Sequence, residues 1–203
     1  MALNFANNNS LSAITTKPSG LSGGAMNLIS TQTASSSSTI SFTSELDSTY
    51  KEYIFKFIDI HPSVTDGILQ FNGSDDTSSH SYNITKTTTY FYADHFEDDS
   101  ETNLNYLASY DLAQSTDFQG ITQGAINDNN DDCAAGTLHL FNPSSTTFVK
   151  HFMARTNWSS SNPYSRDGYL AGYFNTTSAI TAIQFKMNSG TIQAGTIKLY
   201  GIS

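Results

Sequence analysis

Five histidines, one cysteine and a block of carboxylates are the side chains with the reach to do chemistry. His61, His80, His95, His139 and His151 form no His-x-His or His-Glu-x-x-His pair and join no Cys cluster, so a zinc site has no support. His139 and His151 fall in stretches that alternate like strands, where a lone imidazole is more often a packed or surface residue. Cys133 carries no local signature of a nucleophile, and as the sole cysteine it excludes an intramolecular disulfide. There is no Gly-x-Ser-x-Gly elbow, and Gly20 to Gly24 lacks the Lys and the following helix of a phosphate cradle. Glycoside hydrolysis needs two carboxylates held about 5 to 9 Å apart on rigid elements. Only Glu52 and Asp59 stand on strand-like sequence. The expectation is a protein with no catalytic, cofactor-binding or metal residue.

The carboxylates are placed unevenly. No Lys or Arg occurs between Lys86 and Lys150, and that interval holds ten acids, from Asp94 and Glu97 to Asp131 and Asp132. The rest of the chain holds eight acids and nine bases, so the formal charge of −9 resides in this one interval. Three roles fit it. One is a solvated loop whose charge discourages edge-to-edge association. Another is calcium, the one cofactor considered, because His95 to Glu101 and Asp128 to Asp132 offer hard oxygen ligands. The second run opens like a calcium loop but has Cys133 where the turn glycine belongs and His139 where a bidentate Glu belongs. The third is an electrostatic surface for a basic partner. Separately, Trp158 and Tyr164 flank a polar turn, where they either close the end of the fold or stack on a sugar ring as a glycan contact.

The elements that must position these groups are strands. Period-two alternation begins at Thr39 to Thr43 and recurs at Ile68 to Phe71, Ser81 to Tyr92, Thr137 to Phe141 and Phe148 to Thr156. Tyr169 to Phe174, Ala182 to Met187 and Thr196 to Ile202 complete the series. Tyr53 to Ile60 is apolar at nearly every position, as expected of a strand covered on both faces. Asn72-Gly73, Asn142-Pro143, Asn162-Pro163, Asn188-Ser189-Gly190 and Ala194-Gly195 read as turns. The pattern predicts an all-β, antiparallel β-sandwich of jelly-roll type over residues 39–203. An acidic excursion, 94–135, should carry a helical turn near Leu104 to Leu112 or a short edge strand, with Phe118, Ile121 and Ile126 pinning it to the core.

Composition sets the class. The chain has 9 basic and 18 acidic side chains against 71 Ser, Thr and Asn, which leaves no basic patch for nucleic acid. No run approaches the roughly 18 apolar residues of a membrane helix, so no membrane insertion is expected. The 13 Phe and 11 Tyr argue against disorder. Residues 1–38 lack a periodic face and read as an extended N-terminal arm, lying on its own domain or on a neighbouring subunit.

The ending, Ala179 to Lys186 and Ala194 to Ile202, resembles the C-terminus of many tailed-bacteriophage virion proteins, especially those of marine cyanophages. Tyr53 to Phe57 and Phe141 to Ser145 are similar too. The resemblance implies a virion structural protein, either a head decoration or a tail or fibre component, with no catalytic residue to carry over. On that basis the expected function is capsid decoration or cement on the particle surface, held to capsid or tail proteins through Leu3, Phe5, Leu11, Ile14, Met26 and Leu28. A homo-oligomer is expected, a trimer being the natural case. The alternative is a receptor-binding tail or fibre module that meets host polysaccharide through Trp158 and Tyr164.

Overall fold

The computed structural model describes residues 25–123, 126–159 and 164–203. Twelve strands follow in order: β1 Met26–Thr33, β2 Ile40–Phe42, β3 Glu52–Pro62, β4 Leu69–Ser74, β5 Lys86–Phe96, β6 Thr102–Tyr106, β7 Gln119–Gly120, β8 Ala134–Phe141, β9 Lys150–Ser159, β10 Tyr164–Phe174, β11 Ala182–Met187 and β12 Ile192–Ile202. Among the described residues there is no α-helix, only a 3-10 turn at Ala108–Tyr110. Every pairing between named strands is antiparallel. One sheet has eight strands in the order β1-β12-β3-β8-β9-β10-β5-β6, and the other has four, β2-β11-β4-β7. The all-β sandwich expected from the alternation is the fold that forms.

The two sheets meet through aromatic rings. Phe55 and Phe57 of the large sheet lie 5.2 and 5.3 Å from Phe185 of the small one, and Phe71 lies 5.1 Å from Phe152. These pairs are edge-on, the arrangement the ring quadrupoles favour. Phe42, Phe55, Phe71, Phe152, Phe174 and Phe185 are all completely buried, each contributing about 1.5–3 kcal/mol of burial. The small sheet then alternates as a half-covered sheet should: Phe71, Ile183 and Phe185 face in, while Gln70, Gln184 and Lys186 face away.

Several expectations are corrected. The stretch read as arm to residue 38 supplies β1, which pairs with β12 at the edge of the large sheet. Asn72-Gly73 is no turn but the middle of β4, opposite Gln184 and Ile183. The Asn72 amide donates to the carbonyls of Tyr82 (2.7 Å) and Thr116 (2.9 Å), and the Phe174 ring lies 3.0 Å from where a Cβ on Gly73 would stand. Ala194-Gly195 sits inside β12 at a register shift, with Gly195 at φ +119°. β3 runs past the Tyr53 to Ile60 stretch through His61 and Pro62, with Pro62 opposite Ile192.

The acidic excursion is part of the domain. It contributes the edge strand β6, the 3-10 turn and β7, and its Ile121 and Ile126 are buried. Phe118 is half-buried, with Lys186 Nζ 4.2 Å above its ring.

Candidate functional site

The large sheet has a second face that the small sheet does not cover, and register defines it. Leu28, Tyr200, Ile54, His139, Met153, Ala171 and Thr89 are successive partners across seven strands. The adjacent row runs Thr31, Lys198, Lys56, Thr137, Arg155, Tyr169, Phe91 and Tyr106 across all eight. Direct partners in an antiparallel pair point the same way. These rows therefore form one continuous outer face.

That face exposes large apolar side chains where a solvated sheet would carry polar ones. Met26, Leu28, Ile58, Phe91, Leu104, Tyr106 and Met153 all lie on it, seven of the eight large apolar side chains exposed among the described residues. Leu104 is 75% exposed and Tyr106 61%. Only Phe148, in the β8–β9 loop, is elsewhere. Two adjoining open grooves, about 470 and 420 Å³, share Thr89, Phe141, Met153 and Ala171. The small Ala171 forms a floor between its cross-strand partners Met153 and Thr89.

Several polar groups on the face are paired with one another. Phe91 stacks on Tyr169 with centroids 4.7 Å apart and planes within 2°. Arg155 lies 5.1 Å from the same tyrosine ring and grips Asp167 with Nη2 at 2.7 Å from Oδ2. The Tyr169 hydroxyl donates to that carboxylate at 3.0 Å. This bond, with the negative charge behind it, raises the tyrosine pKa, while hydrogen bonding to Asp167 raises that of Arg155. His139 Nδ1 is 2.6 Å from Glu52 Oε1. Lys56 and Lys198 are direct cross-strand neighbours, and neither joins an ion pair among the described residues. Opposed like charges are unfavourable in a free sheet and favour an anionic or dipolar partner above them.

The residues singled out in the sequence are distributed differently from expectation. Leu3, Phe5, Leu11 and Ile14 lie outside the described residues. Met26 and Leu28 are on β1 and belong to the outer face. Trp158 and Tyr164 are 1% and 6% exposed, so they close one end of the sandwich and offer no ring to a sugar. Between Tyr92 and Tyr164 lies the Arg166 guanidinium, 3.9 and 4.4 Å from the ring centres, with Nη2 2.6 Å from Oδ2 of the buried Asp94. One member of the acidic interval is thus internal. Another, Asp111, accepts the Tyr90 amide at 2.7 Å and the Tyr106 hydroxyl. Among the described residues no three His, Cys, Asp or Glu groups are placed to hold a metal ion, so the runs His95 to Glu101 and Asp128 to Asp132 bring together no such set. Burial pushes the Cys133 thiol up, with Asp59 and Asp132 adding to it.

Phe91, Met153, Arg155 and Tyr169 were not singled out in the sequence. Their signal was in β3: Ile54 and Ile58 alternate with the core residues Tyr53, Phe55 and Phe57, which reads as cover on both faces, and among the described residues the second sheet covers only the Tyr53, Phe55 and Phe57 face. Comparisons with protein-family models, with curated proteins and with solved structures found no match.

Proposed function

We propose that this chain is a non-enzymatic structural protein of a virus particle, a capsid decoration or cement seated on its neighbours through the outer face of the eight-stranded sheet. The observation that carries the docking mode is the concentration of exposed apolar side chains on that face. Solvated monomers seldom leave so large a patch open. Eight strands about 4.8 Å apart and about ten residues long span roughly 1,000 Å², above the roughly 800 Å² that each partner of a standard interface buries. The partner's chemistry follows from the face: an apolar patch bearing carboxylates or carbonyl dipoles opposite Lys56 and Lys198. The virion setting is supported by the resemblance of the C-terminal strands. The non-enzymatic reading is supported by the dispersed histidines and by a Cys133 thiol held in its protonated form. The glycan-binding alternative has lost the two rings on which it relied.

The test is incorporation into particles. Chains carrying Met153→Glu, and chains lacking residues 1–24, are supplied during assembly and located by immunogold electron microscopy. Met153→Glu should fold normally and fall to background on particles, with a smaller loss for the truncation. Full occupancy by the Met153→Glu chain overturns docking through the face. Absence of the unaltered chain from purified particles overturns the virion setting.

A further inference from the structure

We infer that the neighbour met by the outer face of the large sheet is a second copy of this chain, the two faces packing on one another about a two-fold axis parallel to the strands. This inference rests on the reading of that face as a docking surface and is independent of the virion setting.

Charge and area favour this occupant. The two cross-strand rows that define the face carry Lys56, Lys198 and Arg155 and no carboxylate. The net charge of −9 has its source in the interval between Lys86 and Lys150, yet what that interval gives to the rows is Thr89, Phe91, Tyr106, Thr137 and His139, none of them acidic. Two copies can therefore meet here with their acidic side chains off both rows, and the repulsion between acidic chains has no source in the contact. Each face spans roughly 1,000 Å², so a pair buries roughly 2,000 Å² in total, where a stable interface needs about 1,200–2,000 Å².

Register fixes the symmetry. β8 and β9 are the middle strands of the large sheet. A two-fold axis running between them lays β8 on β9, β3 on β10 and β12 on β5 of the other copy, an aligned and isologous packing in which each row meets itself. In one row Ile54 then stands over Ala171, the low floor of the grooves, and Met153 over His139. In the other, Lys56 stands over Tyr169, Lys198 over Phe91 and Arg155 over Thr137, so no cation meets a cation. The carboxylate of Asp167, bonded to the Tyr169 hydroxyl at 3.0 Å, supplies the anion that Lys56 lacks in its own copy. A two-fold axis set across the strands on this row would instead lay Lys56 on Lys56 and Lys198 on Lys198. Like charges thus select the axis parallel to the strands.

Light scattering on the full chain after size exclusion should give twice the 22.1 kDa chain mass at micromolar concentration. Met153→Glu should halve that mass and leave the folded state intact, because the side chain is 50% exposed. Phe148→Glu, which alters an exposed apolar residue off the face, should leave the dimer in place. Register is read without variants. Ile54 and Ala171 are three strands apart in one copy, about 14 Å. In a mixture of copies labelled at Ile methyls with copies labelled at Ala methyls, an Ile54–Ala171 Overhauser contact therefore reports the pairing of two copies. A single-chain mass at micromolar concentration, a dimer that survives Met153→Glu or is lost to Phe148→Glu, or a dimer without that contact overturns the inference. A chain that enters particles while monomeric in solution overturns the inference and leaves the docking reading in place. A dimer with the expected contact that is absent from purified particles upholds the inference and overturns the virion setting.

Discussion

Lys86 and Lys150 lie opposite the same residue, Phe174, one on each side of it in the sheet, and both are fully buried. Their ammonium groups are held by carbonyls. Lys86 Nζ donates to Ile84 (3.0 Å) and Asp117 (2.5 Å), and Lys150 Nζ donates to Thr176 (3.1 Å). The two bases that bracket the acidic interval in sequence thus pin three loop segments to one end of the core.

Burial pushes the Lys86 pKa down to about 8, with the Asp117 charge opposing it, and burial lowers Lys150 as well. The unfolded chain keeps the Lys86 proton up to about 10.5 and the folded chain only to about 8. Between these values the unfolded state binds more protons, so stability rises with pH across the window, by up to about 3 kcal/mol for a shift of this size. Urea unfolding across that range should show the rise, and Lys86→Met should flatten it.

Trp158 closes the sandwich against a glycine. A Cβ on Gly168 would stand 2.3 Å from the Tyr90 hydroxyl and 2.9 Å from the Trp158 ring. Gly168→Ala should therefore cost about 1–3 kcal/mol through overpacking. Trp158→Ala should cost about 3–5 kcal/mol through the cavity it leaves. Denaturant titration of the double variant should give less than the sum, because the cavity receives the added methyl.

Arg166 is worth more than its charge. Its Nε and Nη2 donate to Asp94 Oδ2 at 3.2 and 2.6 Å while its plane is packed between two tyrosines. Arg166→Ala should destabilise by about 3–5 kcal/mol, since Asp94 is left buried and unpaired. Arg166→Lys should recover only part of this, having no planar fork to fill the sandwich. Thermal unfolding of the two variants side by side checks the order.

Asp76 organises the loop after β4. Its carboxylate accepts the backbone amides of Ser78 (3.2 Å), Ser79 (2.9 Å), His80 and Ser81 (2.6 Å). The Ser81 amide is the largest cause holding its pKa well below the usual carboxylate range; desolvation opposes it, and the His80 amide, the Ser74 hydroxyl and the Ser79 amide add to the lowering. This contribution is present above the unfolded value of 3.8 and is lost as the pH falls toward the folded one. Asp76→Asn should be less stable than the unaltered chain at neutral pH, and the gap should close in acid. Amide exchange at Ser79 and Ser81 should quicken in the variant.

Strand positions were legible where alternation met a clean turn. Ala182 to Met187 was read with the bounds it has as β11, and Tyr53 to Ile60 lies within β3. Legibility failed where a turn-forming residue was needed for another reason. Gly73 makes room for the Phe174 ring in mid-strand, and Gly195 takes a positive φ at a bulge. Leu104 to Leu112 carried helix-like spacing, yet pairing with β5 draws Thr102–Tyr106 into a strand and leaves one 3-10 turn. The acidic interval read as a loop because charge masks burial: Asp94 and Asp111 are counted as surface by composition and spend their oxygens on Arg166, Tyr90 and Tyr106. The outer face was hidden for a further reason. Periodicity shows that two faces are apolar, and only the strand order shows which of them the small sheet covers.

The chain has a single tryptophan, and it sits at the closed end of the sandwich beside Gly168 and Tyr90. Intrinsic emission is therefore a local gauge of that end, blind to events on the outer sheet face. A partner arriving there would instead perturb the stacked Phe91–Tyr169 pair and the tyrosine absorbance it governs. Two optical signals thus separate loss of the fold from occupation of its surface, in one cuvette and without a label.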